Sequence, residues 1–267
     1  MKTTLMTLSL VLASGLSNLS LAATKTAVTE KTIEYKEGDA VLEGFTAAPA
    51  RLAAKTPVVV VVHEWMGLDQ YAKTRARMLA ELGYIAFAAD IYGKGVRATS
   101  TDEAGKLATK YKTDRALMRK RVAAAVAEAA KLPHADASKV AVIGYCFGGT
   151  VALEAARAHL PVIAVASFHG GLDNPNAKDT KDITAKVAVY HGADDPSVPP
   201  EQVAAFENEM RQAKADWQLV AYGNAVHKFS NPETPFKPGA SANYNQEADQ
   251  RSWRAMQDFF DEVLKKR

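Results

Sequence analysis

The chain has 267 residues, 48% hydrophobic and 24% charged, which is enough to bury the core of one α/β domain of the larger kind. Its 33 basic and 30 acidic residues leave a formal charge of +3 and are spread along the chain, so no basic patch argues for a nucleic-acid partner. A single cysteine excludes a thiolate zinc site and an intramolecular disulfide.

The first residues read as an export signal: Lys2 as a basic start, a mainly apolar stretch from Leu5 to Leu16, and small residues in Ser20-Leu21-Ala22 where a signal peptidase inspects. Residues 1–22 are expected to be removed, leaving 23–267 as one domain in a periplasmic or secreted setting. No later stretch is apolar and long enough for a membrane helix. An antiparallel hairpin is predicted from Thr32-Ile33-Glu34-Tyr35 and Val41-Leu42-Glu43-Gly44-Phe45 around Gly38-Asp39. Continuous apolar runs follow at Pro57 to Val62, Tyr84 to Ala89, Val140 to Ile143, Val162 to Phe168 and Val187 to Tyr190, with Trp217 to Tyr222 as the last strand. Runs without alternation predict strands covered on both faces. Helical patterns over Tyr71 to Leu82, Ala116 to Leu132, Gln202 to Lys214 and Asn243 to Lys265 separate them. The fold class is α/β: a doubly wound, mostly parallel sheet of the α/β-hydrolase type with an N-terminal antiparallel hairpin. Residues 93–112 read as a polar insertion near the mouth, a candidate lid.

The lone Cys146 sits in Gly144-Tyr145-Cys146-Phe147-Gly148-Gly149, where an apolar run breaks into a helix-like stretch. That is the place of the nucleophile in an α/β-hydrolase, on a strand-to-helix turn so sharp that the residues two positions either side must be small. An unpaired thiol in an oxidising compartment is a liability unless it has a use. The acid and the base are expected on loops after later strands, in that order. Asp195, in Gly192-Ala193-Asp194-Asp195, and His227, in Val226-His227-Lys228, fit. Asp194 is the alternative acid, and His63, His169 and His191 also fall near strand ends, whereas His134 and His159 fall in helix-end contexts that favour solvation.

Those residues, together with His63-Glu64-Trp65-x-Gly67, Ala89-Asp90-Ile91-Tyr92-Gly93, Gly192-x-x-Asp195-x-x-Val198-Pro199 and His227-x-Phe229, resemble the dienelactone hydrolase family over nearly all of residues 23–267. The resemblance implies a cofactor-free hydrolase of small-molecule esters or lactones with the triad Cys146, His227 and Asp195. It further implies an oxyanion hole made by the Trp65 and Phe147 N–H groups, and a Glu64 that lies beside the resting thiol and moderates it. Family members that cleave dienelactones bind the substrate carboxylate with two arginines, and this chain has Lys94 and Asn231 in those places. Lysine lacks the bidentate fork and asparagine lacks the charge, so neutral esters are the expected substrates. Tyr92, Lys94, Phe229 and Asn231 are the expected substrate-binding residues, with Trp65, Phe147, Phe168 and Phe236 completing an aromatic mouth.

Two other readings stay open on sequence: a non-catalytic thiol-sensing or binding protein on the same fold, and an acyltransferase or peptidase using the same triad. A sensor needs a reactive thiol but not an Asp-His pair on two further loops. No phosphate loop, dinucleotide fingerprint or metal-ligand motif is present, so no cofactor or metal is expected. No motif bears on oligomeric state.

Overall fold

The computed structural model describes residues 26–175 and 180–265; the export segment expected over residues 1–22 lies outside them. The described residues form eight strands, β1 (Val28–Glu37), β2 (Ala40–Pro49), β3 (Thr56–Val62), β4 (Ile85–Ala89), β5 (Ala135–Tyr145), β6 (Ala164–Phe168), β7 (Lys186–Gly192) and β8 (Trp217–Tyr222). Six α-helices accompany them: α1 (Gln70–Glu81), α2 (Thr101–Thr113), α3 (Arg115–Ala129), α4 (Phe147–Arg157), α5 (Pro200–Gln212) and α6 (Gln246–Phe260), the last running into a π-helical turn at Asp261–Lys265.

The strands make one sheet in the order β1-β2-β4-β3-β5-β6-β7-β8. β1 and β2 form the antiparallel hairpin, β2 pairs antiparallel with β4, and every other pairing is parallel. The five consecutive valines of β3 explain its central place. Val58, Val60 and Val62 face a core built with α3, α4 and α5, while Val59 and Val61 face a second core built with α1 and α6. All five are fully buried, and each contributes about 1.5–3 kcal/mol by leaving water. Such a strand cannot alternate apolar with polar, because neither of its faces meets solvent.

The predicted strands and helices lie where the apolar runs placed them, with boundaries shifted by a few residues. Within the polar insertion of residues 93–112, α2 occupies most of the segment, entered by Ser100, whose hydroxyl accepts from Glu103 N–H; Glu103 Oε2 accepts from the N–H of the preceding residue, Thr99. The signal was the Ser100-x-x-Glu103 spacing of a capping box. It was masked by the polarity of a helix that buries only Ala104, Ala108 and Tyr111.

Candidate active site

The loops that follow β5, β7 and β8 converge at the carboxyl end of the sheet, the end at which open α/β sheets bind ligands. Cys146 stands between β5 and α4 with φ 53° and ψ −115°, a conformation that costs a non-glycine residue about 1–3 kcal/mol. The turn tolerates nothing larger than glycine on either flank. A Cβ on Gly144 would lie 1.9 Å from the Gly148 carbonyl oxygen, and one on Gly148 would lie 2.3 Å from the Val62 carbonyl oxygen. The close approach presses the elbow against the end of β3 and leaves the half-buried thiol at the start of α4.

The Cys146 sulfur lies 3.0 Å from His227 Nε2, and His227 Nδ1 lies 2.7 Å from Asp195 Oδ2. Asp195 Oδ1 accepts from Ser197 N–H at 2.8 Å, which fixes the carboxylate on its turn. Asp194 is exposed and its N–H donates to the Ala225 carbonyl, so the structure brings Asp195 and not Asp194 to the histidine. The His227 backbone is pinned in turn: its N–H donates to Ser241 O and its carbonyl accepts from Asn243 N–H. Burial alone would push the His227 ring down. The Cys146 sulfur beside it and the Asp195 hydrogen bond outweigh burial and raise it to about 10. Burial would likewise raise Asp195, but its bonds to His227 and Ser197 hold it below the usual carboxylate value.

Phe147 is the first residue of α4, so its N–H is among those without an acceptor inside the helix. The peptide that carries the Trp65 N–H is anchored through its carbonyl, Glu64 O. That oxygen accepts from His63 Nδ1 at 2.5 Å and from Gly67 N–H at 3.3 Å. His63 Nε2 accepts from Ile91 N–H, which leaves the ring proton on Nδ1. A trans peptide anchored this way sends its N–H to the side opposite His63. Fully buried, His63 is therefore a strut and not part of the mouth, and burial holds its pKa down so that it stays neutral.

Around the thiol opens a cavity of about 330 Å³. Trp65, Phe147, Val198 and Ala108 give it an apolar wall, and Lys112 of α2 and Lys228 supply its lysines. None of the four expected substrate-binding residues lines it. Lys94 is exposed on the hairpin side, paired with Glu34. Phe229 is fully buried, edge-on to His169. Asn231 is buried and donates from Nδ2 to Glu64 Oε2 at 2.9 Å. Tyr92 is a support behind the wall, its hydroxyl donating to Trp65 O at 3.0 Å and its ring against Phe147. Phe168 is core and Phe236 is exposed away from the cavity lining.

Glu64 is buried and paired through one of its two oxygens. A buried carboxylate must find a partner, and Oε2 finds Lys228 Nζ at 2.9 Å and Asn231 on the loop of the catalytic-base candidate. Among the described residues none of its hydrogen bonds goes to the thiol. Burial raises its pKa against the pull of Lys228 and Asn231. Sequence reasoning missed Lys112, Ser197 and the 241–242 segment as cavity residues, because each comes from an element whose approach is set by tertiary packing. No group of three or more His, Cys, Asp or Glu side chains able to hold a metal occurs among the described residues.

The model of the dienelactone hydrolase family matches residues 42–264. A relative from Synechocystis, named a putative carboxymethylenebutenolidase, is 27% identical over 84% of this chain and 93% of its own length. Two solved structures superpose on 89% of this chain and 99% of their own. One, named m3DLH, is 38% identical with a TM-score of 0.86; the other, a dienelactone hydrolase-like promiscuous phosphotriesterase from metagenomic libraries, is 39% identical with a TM-score of 0.85.

Proposed function

Since the chain belongs to the dienelactone hydrolase family, we propose that it hydrolyses small carboxylic esters and lactones through a Cys146 thioester. The observation that carries this reading is the unbroken line from Cys146 Sγ to His227 to Asp195 at 3.0 and 2.7 Å. In the first half-reaction the sulfur attacks the acyl carbon, forming the C–S bond, and the oxyanion is met by the Phe147 and Trp65 N–H groups. Protonated His227 gives its proton to the leaving alkoxide as the C–O bond breaks. Water then enters, His227 removes its proton, and the resulting hydroxide breaks the C–S bond, releasing the acid. Asp195 holds the tautomer and the imidazolium charge throughout.

The apolar wall suits an uncharged acyl group, and neither Lys94 nor Asn231 reaches the cavity to bind a carboxylate. Neutral esters and lactones are accordingly the proposed substrates. A second reading, attack on neutral phosphotriesters, is favoured by the kinship with the phosphotriesterase structure. Removal of residues 1–22 and function outside the cytoplasm are further parts of the proposal, supported by the order of basic, apolar and small residues at the start of the sequence.

Intact-mass spectrometry during turnover of an ester and lactone panel tests the reading. An acyl adduct confined to Cys146 and absent from Cys146→Ala is the expected result; an adduct elsewhere, or turnover by Cys146→Ala, contradicts it. A paraoxon arm reads the second activity as a phosphoryl adduct on the same residue.

A further inference from the structure

Behind the elbow runs a buried polar chain that the reaction does not use. The Cys146 N–H, besides meeting Phe168 O at 3.0 Å, points at His169 Nδ1 at 3.1 Å. His169 Nε2 lies 2.8 Å from Ser230 Oγ, and Ser230 Oγ lies 2.8 Å from the Tyr71 hydroxyl. Tyr71 also reaches Ser230 O at 3.0 Å, and Arg75 binds both Tyr71 (3.2 Å) and Ser230 O (2.5 Å) before pairing with Asp249 of α6. His169, Ser230, Tyr71 and Arg75 are all at most 3% exposed.

Only one proton arrangement satisfies every member. Nδ1 of His169 must accept from Cys146 N–H, so the ring proton sits on Nε2 and is donated to Ser230 Oγ. The serine hydroxyl then donates to Tyr71 oxygen, which also accepts from Arg75, and the tyrosine proton goes to Ser230 O. Nothing is left over. A network this complete in a low-dielectric interior is strong when whole and costly when broken. It also joins two particular points: the backbone of the nucleophile, in a strained conformation, and a residue three positions after His227 on the same loop.

We propose that His169 and Ser230 are positioning residues that set the distance between the Cys146 sulfur and the His227 ring. The inference rests on the Cys146–His227 reading of the site. Without the bridge the elbow loses one of the two acceptors of its Cys146 N–H, which help hold its positive φ, and the histidine loop loses its tie to the end of β6. The sulfur and Nε2, now 3.0 Å apart, then sample longer separations. Because His169 also stands edge-on to His227 at 5.4 Å between ring centroids, the loss reaches the base from a second direction.

The test compares His169→Leu, His169→Asn and Ser230→Ala with wild type, in turnover of p-nitrophenyl acetate and in the pH profile of Cys146 alkylation by iodoacetamide. Asn places its carbonyl where Nδ1 stood, so it preserves the acceptor for Cys146 N–H and loses the Ser230 bond. We expect kcat to fall about 10- to 100-fold in His169→Leu with KM little changed, since misplacement of about 1 Å carries that penalty. We expect His169→Asn to recover part of the loss, and the alkylation profile to shift in both His169→Leu and Ser230→Ala. Alkylation needs no turnover, so it reads the pair even if p-nitrophenyl acetate is a poor substrate, and Cys146→Ala in the same turnover assay reports on the triad reading separately. Should His169→Leu fail to fold, Ser230→Ala, a smaller change, decides. A folded variant of either residue with wild-type kcat and an unshifted alkylation profile overturns the proposal.

Discussion

At the elbow, Cys146 is enclosed by backbone at Gly144 and Gly148 and reaches His227 at hydrogen-bond distance; along the α2 wall of the same cavity, Lys112 is exposed and rests on a helix that buries three side chains. The first region is fixed by contacts that admit no alternative. The second is held by a capping box and a thin apolar stripe. The first arrangement tolerates almost no substitution, whereas the second can change without disturbing the fold.

The contrast is broken most severely at the thiol. Cys146→Ala and His227→Ala are each expected to reduce ester hydrolysis by at least hundreds-fold while keeping a native circular-dichroism spectrum, because on the proposed mechanism they belong to one triad whose members act as a unit. Asp195→Asn should be damaging but milder; steady-state kinetics on the three purified variants gives the ranking, and an Asp195→Asn enzyme with wild-type kcat would remove the acid from the triad. Gly148→Ala attacks the elbow through packing. Its new Cβ meets the Val62 carbonyl, and such overpacking costs about 1–3 kcal/mol of stability, read as a lower midpoint in urea.

Cys146→Ala also sharpens the electrostatic side of the comparison. In the wild-type protein His227 is raised to about 10, so the stability it contributes is present in full below its unfolded value, near 6.5, and is lost as pH rises through the folded value. Removing the sulfur should bring the His227 midpoint down, measurable by NMR titration of the ring, and close that window from its upper end. The smallest effect is expected on the wall. Lys112→Gln should leave neutral-ester kinetics unchanged and raise KM for an anionic ester by about threefold at low salt, since an exposed charge contributes at most about 1 kcal/mol and is screened. An equal change for neutral and anionic esters would show that Lys112 acts by shape.

What the sequence disclosed divides along the same line. Gly144 and Gly148 could be read because a turn that tight admits only glycine, and the convergence of Asp195 and His227 on Cys146 because the fold fixes the chain order of its loops. The β3 valines and the hairpin were equally legible, their periods being set by burial. Lys94, Phe229 and Asn231 were misplaced because their positions depend on which tertiary partner each finds: Glu34, His169 and Glu64. The pairing of Glu64 with Lys228, 164 positions onward in the chain, was hidden for the same reason. His169 and Ser230 carry no local pattern at all. Their bridge spans 61 residues and exists only once β6 and the histidine loop are side by side.

The half-exposed elbow thiol sets a limit on the working life of the molecule. A sulfenic acid at Cys146 is commonly rescued by condensation with another thiol, and the chain contains no second cysteine. A molecule struck by peroxide depends on a small thiol from its surroundings to escape further oxidation to the irreversible sulfinic acid. On the proposed thioester mechanism, its total number of turnovers is then governed by the ratio of reductant to oxidant around it as much as by its own rate.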